Sequence, residues 1–230
     1  MVLPGGSAAT ELRKLLKEEV ADEKLRTKAL QLLERTIKEE RSLQRSGDGN
    51  DEWSVAVLGD LHLDAADMQM HNVARTQIKA LLDKDVAPSK SRHIVSLGDI
   101  GAYGSAGTTE NFEFTKKWLQ GFEYPCDIIT GNHDLEGINE FDTDVANLAK
   151  WMETFGKETP YFCTEISDKV LCVGLSTVRF RDATYSSHEV FVDDNQIAWF
   201  EETLKKHPAN DGWKILVYTH APIMGSGLRV

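Results

Sequence analysis

Cysteine is scarce. The 230 residues hold three, Cys126, Cys163 and Cys172, and no two of them have C-x-x-C spacing. That count and spacing exclude a disulfide framework and a zinc knuckle. They point instead to reduced thiols in a cytoplasmic or other intracellular reducing compartment. Long apolar runs are missing too: none approaches the roughly 20 residues that span a bilayer, so no membrane partner is expected. The N-terminus lacks the charged-then-apolar pattern of a signal peptide, so entry into the secretory route is not expected. Basic charge is also short, with 26 Lys+Arg against 37 Asp+Glu and a formal net charge of −11. A general nucleic-acid or anionic-membrane binder needs a basic face, so both classes are disfavoured. A phosphate substrate stays open, because bound cations can invert the local field. Hydrophobic residues make up 41% of the chain and charged ones 27%, which suits a folded core rather than a disordered polymer.

The texture changes along the chain. Residues 1–45 form an N-terminal extension in which the stretch from Thr10 to Leu43 has neither glycine nor proline. Its apolar positions, among them Leu12, Leu15, Leu16, Val20, Leu25, Leu30, Leu33 and Ile37, recur mostly at three- to five-residue steps. One or two amphipathic helices are expected there, with Asp22 as a cap for the second. A helical hairpin packed on the following domain is the favoured reading, and a surface for a protein partner is the alternative. Residues 46–52 are polar and glycine-bearing and make a linker.

From residue 53 to 230, short apolar runs alternate with helical periodicity. Strands are expected over 54–58, 93–97 and 126–130, and helices over 67–82, 112–119 and 145–155. This order predicts a mainly parallel sheet with crossover helices. Beyond Pro160, the runs 161–166 and 170–175 flank Ser167-Asp168-Lys169 and predict an antiparallel hairpin. A capped helix over 193–206 and a strand over 213–219 follow.

Four of the strand-like runs end in metal-ligand residue types: Gly59-Asp60-Leu61-His62, Gly98-Asp99, Gly131-Asn132-His133-Asp134 and Thr219-His220. In an open α/β sheet the carboxyl ends of the strands line one edge, where ligands bind. Residues far apart in sequence would therefore converge. Carboxylate, imidazole and amide donors together suit borderline divalent metals such as Mn, Fe or Zn. Two ions roughly 3.5–4 Å apart would clamp a phosphoryl group and generate a hydroxide at neutral pH. His133 would lie near the leaving group and could protonate it.

These blocks resemble the calcineurin-like metallophosphoesterases, whose ordered signature is D-x-H, G-D, G-N-H-[DE], a lone H and then G-H-x-H. The first four blocks are present in order from Asp60 to His220. The resemblance implies an α/β fold, a two-sheet metallophosphoesterase sandwich with flanking helices, preceded here by the helical extension. It implies that Asp60 and His62 bind one metal, that Asp99 bridges, that Asn132 and His220 bind the other, and that His133 assists the leaving group. The implied activity is hydrolysis of phosphate esters by a dinuclear metal centre with metal-bound hydroxide as nucleophile.

Two departures shape the expectation. G-H-x-H does not occur before Val230, so the domain is expected to be C-terminally incomplete, lacking one histidine for each metal. A scaffold that keeps the fold without the chemistry is the rival reading, and a nuclease is a second enzymatic alternative. The purple-acid-phosphatase branch calls for D-x-G and a tyrosine three residues after the G-D aspartate. Position 102 is Ala102 and the tyrosine is displaced to Tyr103, so an Fe(III)–tyrosinate centre is not expected.

Other polar residues receive plainer readings. Asp134 either orients His133 or caps a helix. His71, His93, His188 and His207 are expected at the surface or on helices. Arg179, Arg181 and Tyr185, with Ser186 and Ser187, make a solvated loop that could contact phosphate. Cys163 and Cys172 are expected to be inert core residues.

Overall fold

The computed structural model describes residues 53–85, 91–179, 181–182 and 189–222. The expected helices of residues 1–45, the linker 46–52 and the residues Tyr185 to His188 lie outside the described set. What is described is a mixed α/β arrangement. Its first half runs β1 (Trp53–Leu58), α1 (Gln69–Asp85), β2 (Ser91–Ser96), α2 (Thr109–Gln120), β3 (Cys126–Ile128) and α3 (Asp144–Phe155). A single 3-10 turn, His133–Leu135, stands between β3 and α3. The second half runs β4 (Phe162–Ser167), β5 (Val170–Leu175), β6 (Val178–Arg179), β7 (Glu189–Val190), α4 (Asp194–Lys206) and β8 (Lys214–Thr219).

β1, β2 and β3 form one parallel sheet in that order, with Val57 opposite Val95 and Ser96 opposite Ile128. Parallel neighbours need a crossover, and α1 and α2 supply the two crossovers. β4 and β5 form the expected antiparallel hairpin. β8 then joins β5 in parallel, giving the order β4–β5–β8.

Helix boundaries follow from local chemistry. The hydroxyl oxygen of Thr108 accepts from the Asn111 amide at the start of α2, and Thr143 does the same for Ala146 at the start of α3. The Asp193 carboxylate accepts from the Gln196 amide at the start of α4. These side chains satisfy amides that the first helical turn leaves without partners. α3 ends where Gly156 takes a left-handed conformation, φ 66.

The pleat of β2 deals alternate residues to two cores. Ile94 belongs to a cluster with Phe112, Trp118, Leu119 and Trp151 from the helices, whereas Val95 belongs to one with Phe162, Ile166, Val170 and Cys172. β2 is the central strand of its sheet and is buried from His93 to Ser96, so its carboxyl end is fixed from both faces.

Two side-chain expectations need correction. His93 is not at the surface: it is 4% exposed in β2, where its Nε2 lies 2.9 Å from Asp127 Oδ2. Cys163 is exposed rather than in the core. In β4 the buried residues Phe162 and Ile166 share one face, and Cys163 falls on the other with the exposed Glu165. Cys172 is fully buried, and burial pushes its thiol up to about 11.

Candidate metal centre

The loops that leave β1 and β2 are built around left-handed backbone. Asp60 has φ 46, His62 φ 42, Asp99 φ 51 and Gly98 φ 94. For residues other than glycine such a conformation costs on the order of 1–3 kcal/mol and persists only where the surroundings enforce it. Here the two loops enforce it on each other. The His62 amide donates to Asp99 O at 2.9 Å, Leu63 to Ile100 O at 2.9 Å, and Ala102 to Leu63 O at 3.1 Å. A β-carbon at Gly98 would collide with the Gly131 backbone, and one at Gly131 would collide with the Asp99 carboxylate. Both glycines are therefore required for the close approach of the Gly98-Asp99 and Gly131-Asn132 loops.

Asp134 fastens these loops. Its Oδ2 accepts from the amides of Asp99 (3.0 Å) and Gly131 (2.7 Å), and its Oδ1 accepts from Ile100 at 3.0 Å. It thus neither caps a helix nor orients His133, the two roles considered from the sequence. Burial pushes the Asp134 carboxyl up to about 6, further than the three amides draw it down. Asp99, only 3% exposed, receives the His133 amide on Oδ1 at 2.9 Å, and its Oδ2 faces the site.

The imidazoles have their tautomers set from behind. His62 Nδ1 lies 3.1 Å from Gly101 O, and His220 Nδ1 lies 2.9 Å from Leu97 O. A carbonyl only accepts, so each Nδ1 carries the hydrogen, and in the neutral ring each Nε2 presents a lone pair. His220 Nε2 is 3.0 Å from Asn132 Oδ1 and 3.5 Å from Asp99 Oδ2. Lone pairs at such distances repel until a proton or a cation is placed among them. The Asn132 side chain makes no cap, which leaves its oxygen for this contact.

Two clusters of ligand atoms result, each within 4.8 Å: Asp60 with Asp99 and His220, and His62 with Asp99 and His133. Asp99 belongs to both. All six residues singled out from the sequence are thus gathered at the carboxyl ends of β1, β2, β3 and β8.

The sequence reading missed Glu136. Its Oε2 is 2.7 Å from His133 Nδ1, which leaves His133 Nε2 toward Asp99 Oδ2 at 4.0 Å. The available signal was a carboxylate three residues beyond the histidine, a spacing that the 3-10 turn at His133–Leu135 brings onto one side. Tyr103 was noted only for its displaced position. Its ring stacks on His62 with centroids 5.0 Å apart and meets His133 edge-on at 4.9 Å.

The sequence model of the calcineurin-like phosphoesterases matches residues 54–228. The chain belongs to this family. No curated protein matches it. The family is one of hydrolases that carry out metal-dependent hydrolysis of phosphate esters, and its members generally use divalent ions. The residues present suit such a group, since acceptor atoms of carboxylate, imidazole and amide type converge on Asp99 with their hydrogens turned away. No helix among the described residues is long and apolar enough to cross a membrane.

Arg179 and Arg181, expected on a solvated loop that could contact phosphate, are engaged by other groups. Arg181 Nε donates to Asp144 Oδ1 at 3.1 Å, and the Arg179 guanidinium lies over the Phe191 ring. Arg179 lines a cavity of about 410 Å³ together with Leu135, Ser176 and Gln196, and none of the six gathered residues lines it.

Proposed function

We propose that this phosphoesterase hydrolyses phosphate esters at a dinuclear metal centre carried on a two-sheet sandwich. In this reading, which divides the residues differently from the two clusters of ligand atoms above, Asp60 and His62 would hold one ion, Asn132 and His220 would hold the other, and Asp99 would be shared. Two divalent ions bound there would supply a hydroxide nucleophile at neutral pH and would neutralise the charge that develops on the phosphoryl group. The chain's own residues do the rest. The Gly98–Asp99 and Gly131–Asn132 loops, tied together by Asp134, hold the ligand atoms in place before substrate arrives. His133, with Nδ1 held by Glu136, presents Nε2 to the leaving oxygen and gives it a proton.

One observation carries the reading. Around Asp99 Oδ2, acceptor atoms from three separate loops face one another with no donor hydrogen between them in the neutral tautomers. A cation or a proton placed among these atoms turns their mutual repulsion into attraction.

The test is Asp99→Asn, which keeps the side-chain shape and removes the shared charge. Mn-loaded variant and wild type are compared for hydrolysis of p-nitrophenyl phosphate, with circular dichroism as the fold check. A loss of at least about a thousandfold is expected, since the bound ions are worth several kcal/mol to the transition state. Full activity in a folded Asp99→Asn protein would refute the shared role.

A further inference from the structure

We propose that Tyr103 selects phosphate esters whose ester oxygen carries a planar aromatic group. The inference rests on the phosphoesterase reading and names the substrate class of that same site.

Tyr103 is 75% exposed, and among the described residues it is the one aromatic side chain that combines a large apolar surface with high exposure. A tyrosine ring pairs an apolar face with a polar tip, a combination enriched at binding surfaces. Its position is not incidental. One face of the ring lies against His62, at an interplanar angle of 20°, and His133 meets it at 87°. With His62 behind one face and the ring mostly exposed, the opposite face is left to solvent. The loop beneath is held by the Ser105 amide, which donates to Ala102 O at 2.9 Å, and by Ala102, which donates to Leu63 O at 3.1 Å. Beside it Gly104 leaves open space, with no atom within 4 Å of a β-carbon placed there.

His133 fixes where the leaving group must pass, because the proton it delivers goes to the ester oxygen. A substituent on that oxygen therefore emerges beside the Tyr103 ring, which is 4.9 Å from the His133 ring. An aryl group directly on the oxygen can stack there, whereas an alkyl chain offers no flat face. Offset stacking favours the aromatic ester beyond its buried area.

The experiment measures equilibrium binding by calorimetry to the Mn-loaded full chain. The probes are inorganic phosphate, benzylphosphonate and butylphosphonate, the last two with CH2 in place of the ester oxygen so that no turnover occurs. Wild type is expected to prefer benzylphosphonate by about tenfold, Tyr103→Phe to keep that preference and Tyr103→Leu to lose it. The exposed position makes misfolding of these variants a small concern, and Tyr103→Phe serves as the control. Equal binding of the two phosphonates by wild type, or a preference retained in Tyr103→Leu, would overturn the role of Tyr103 and leave the phosphoesterase reading standing. A wild type that binds neither phosphonate nor inorganic phosphate would overturn the phosphoesterase reading, and the inference with it.

Discussion

Asp127 in β3 and Asp99 at the end of β2 are both shielded carboxylates beside an imidazole, and they are satisfied in opposite ways. Around Asp127 every near neighbour donates. His93 Nε2 stands 2.9 Å and Thr164 Oγ1 2.6 Å from its Oδ2, and Lys157 Nζ stands 3.3 Å from its Oδ1. Burial pushes its carboxyl up, but the hydrogen bonds from His93 and Thr164 and the Lys157 charge outweigh burial and hold it below the ordinary 3.8. Around Asp99 Oδ2 the near neighbours are lone pairs. The backbone differs as well: Asp99 is left-handed at φ 51, whereas Asp127 sits in regular parallel register opposite Val95. Residue types alone do not separate a structural pair from a site. The balance of donors against acceptors does.

The widest contrast comes from exchanging each carboxylate in turn. Asp99→Asn should abolish hydrolysis with little change in melting temperature. Asp127→Ala should do the reverse, because His93 and Lys157 lose the partner that compensates their burial. A destabilisation of about 3 kcal/mol is expected. In a protein of this size that lowers Tm by roughly 6–12 °C. Thermal unfolding of both variants, beside activity per folded chain, decides it, and an Asp127→Ala protein with native Tm would erase the distinction.

Glu136→Gln sharpens the site side of the comparison. It weakens the hold on His133 Nδ1 while leaving the proposed metal ligands Asp60, His62, Asp99, Asn132 and His220 intact. The expected loss is about 10- to 100-fold in kcat with unchanged metal content. A parallel loss of metal would show that Glu136 supports the ligands rather than the proton donor.

The smallest effect is in acid. A carboxyl held below its unfolded value stabilises the fold above that value and loses the contribution as pH falls through the folded one. The stability gap between wild type and Asp127→Asn should thus persist at neutral pH and close below the ordinary 3.8. Urea titrations at a series of pH values test this.

Much of this was legible in the sequence because the signals were local. The strand–helix alternation, the hairpin at Asp168-Lys169 and the glycine-bearing ends of β1, β2 and β3 each depend on neighbours within a few positions. The partners that only folding supplies were not legible. His93 gained Asp127 through the pairing of β2 with β3, and single-strand periodicity carries no information about which strands lie side by side. Asp134 proved to be a brace between loops because three amides from two separate loops converge on it. Cys163 is a different case. Its alternation with Glu165 was there to be read and indicated the exposed face.

The central claim is that the acceptor atoms around Asp99 are a cation site for two ions. The direct test is elemental analysis of the full chain after loading with Mn, Fe or Zn and removal of excess metal. The account predicts about two ions per wild-type chain, with Asp99→Asn losing both or retaining one weakly. A folded wild-type chain that holds none, or an Asp99→Asn protein that holds as many as wild type, would contradict it.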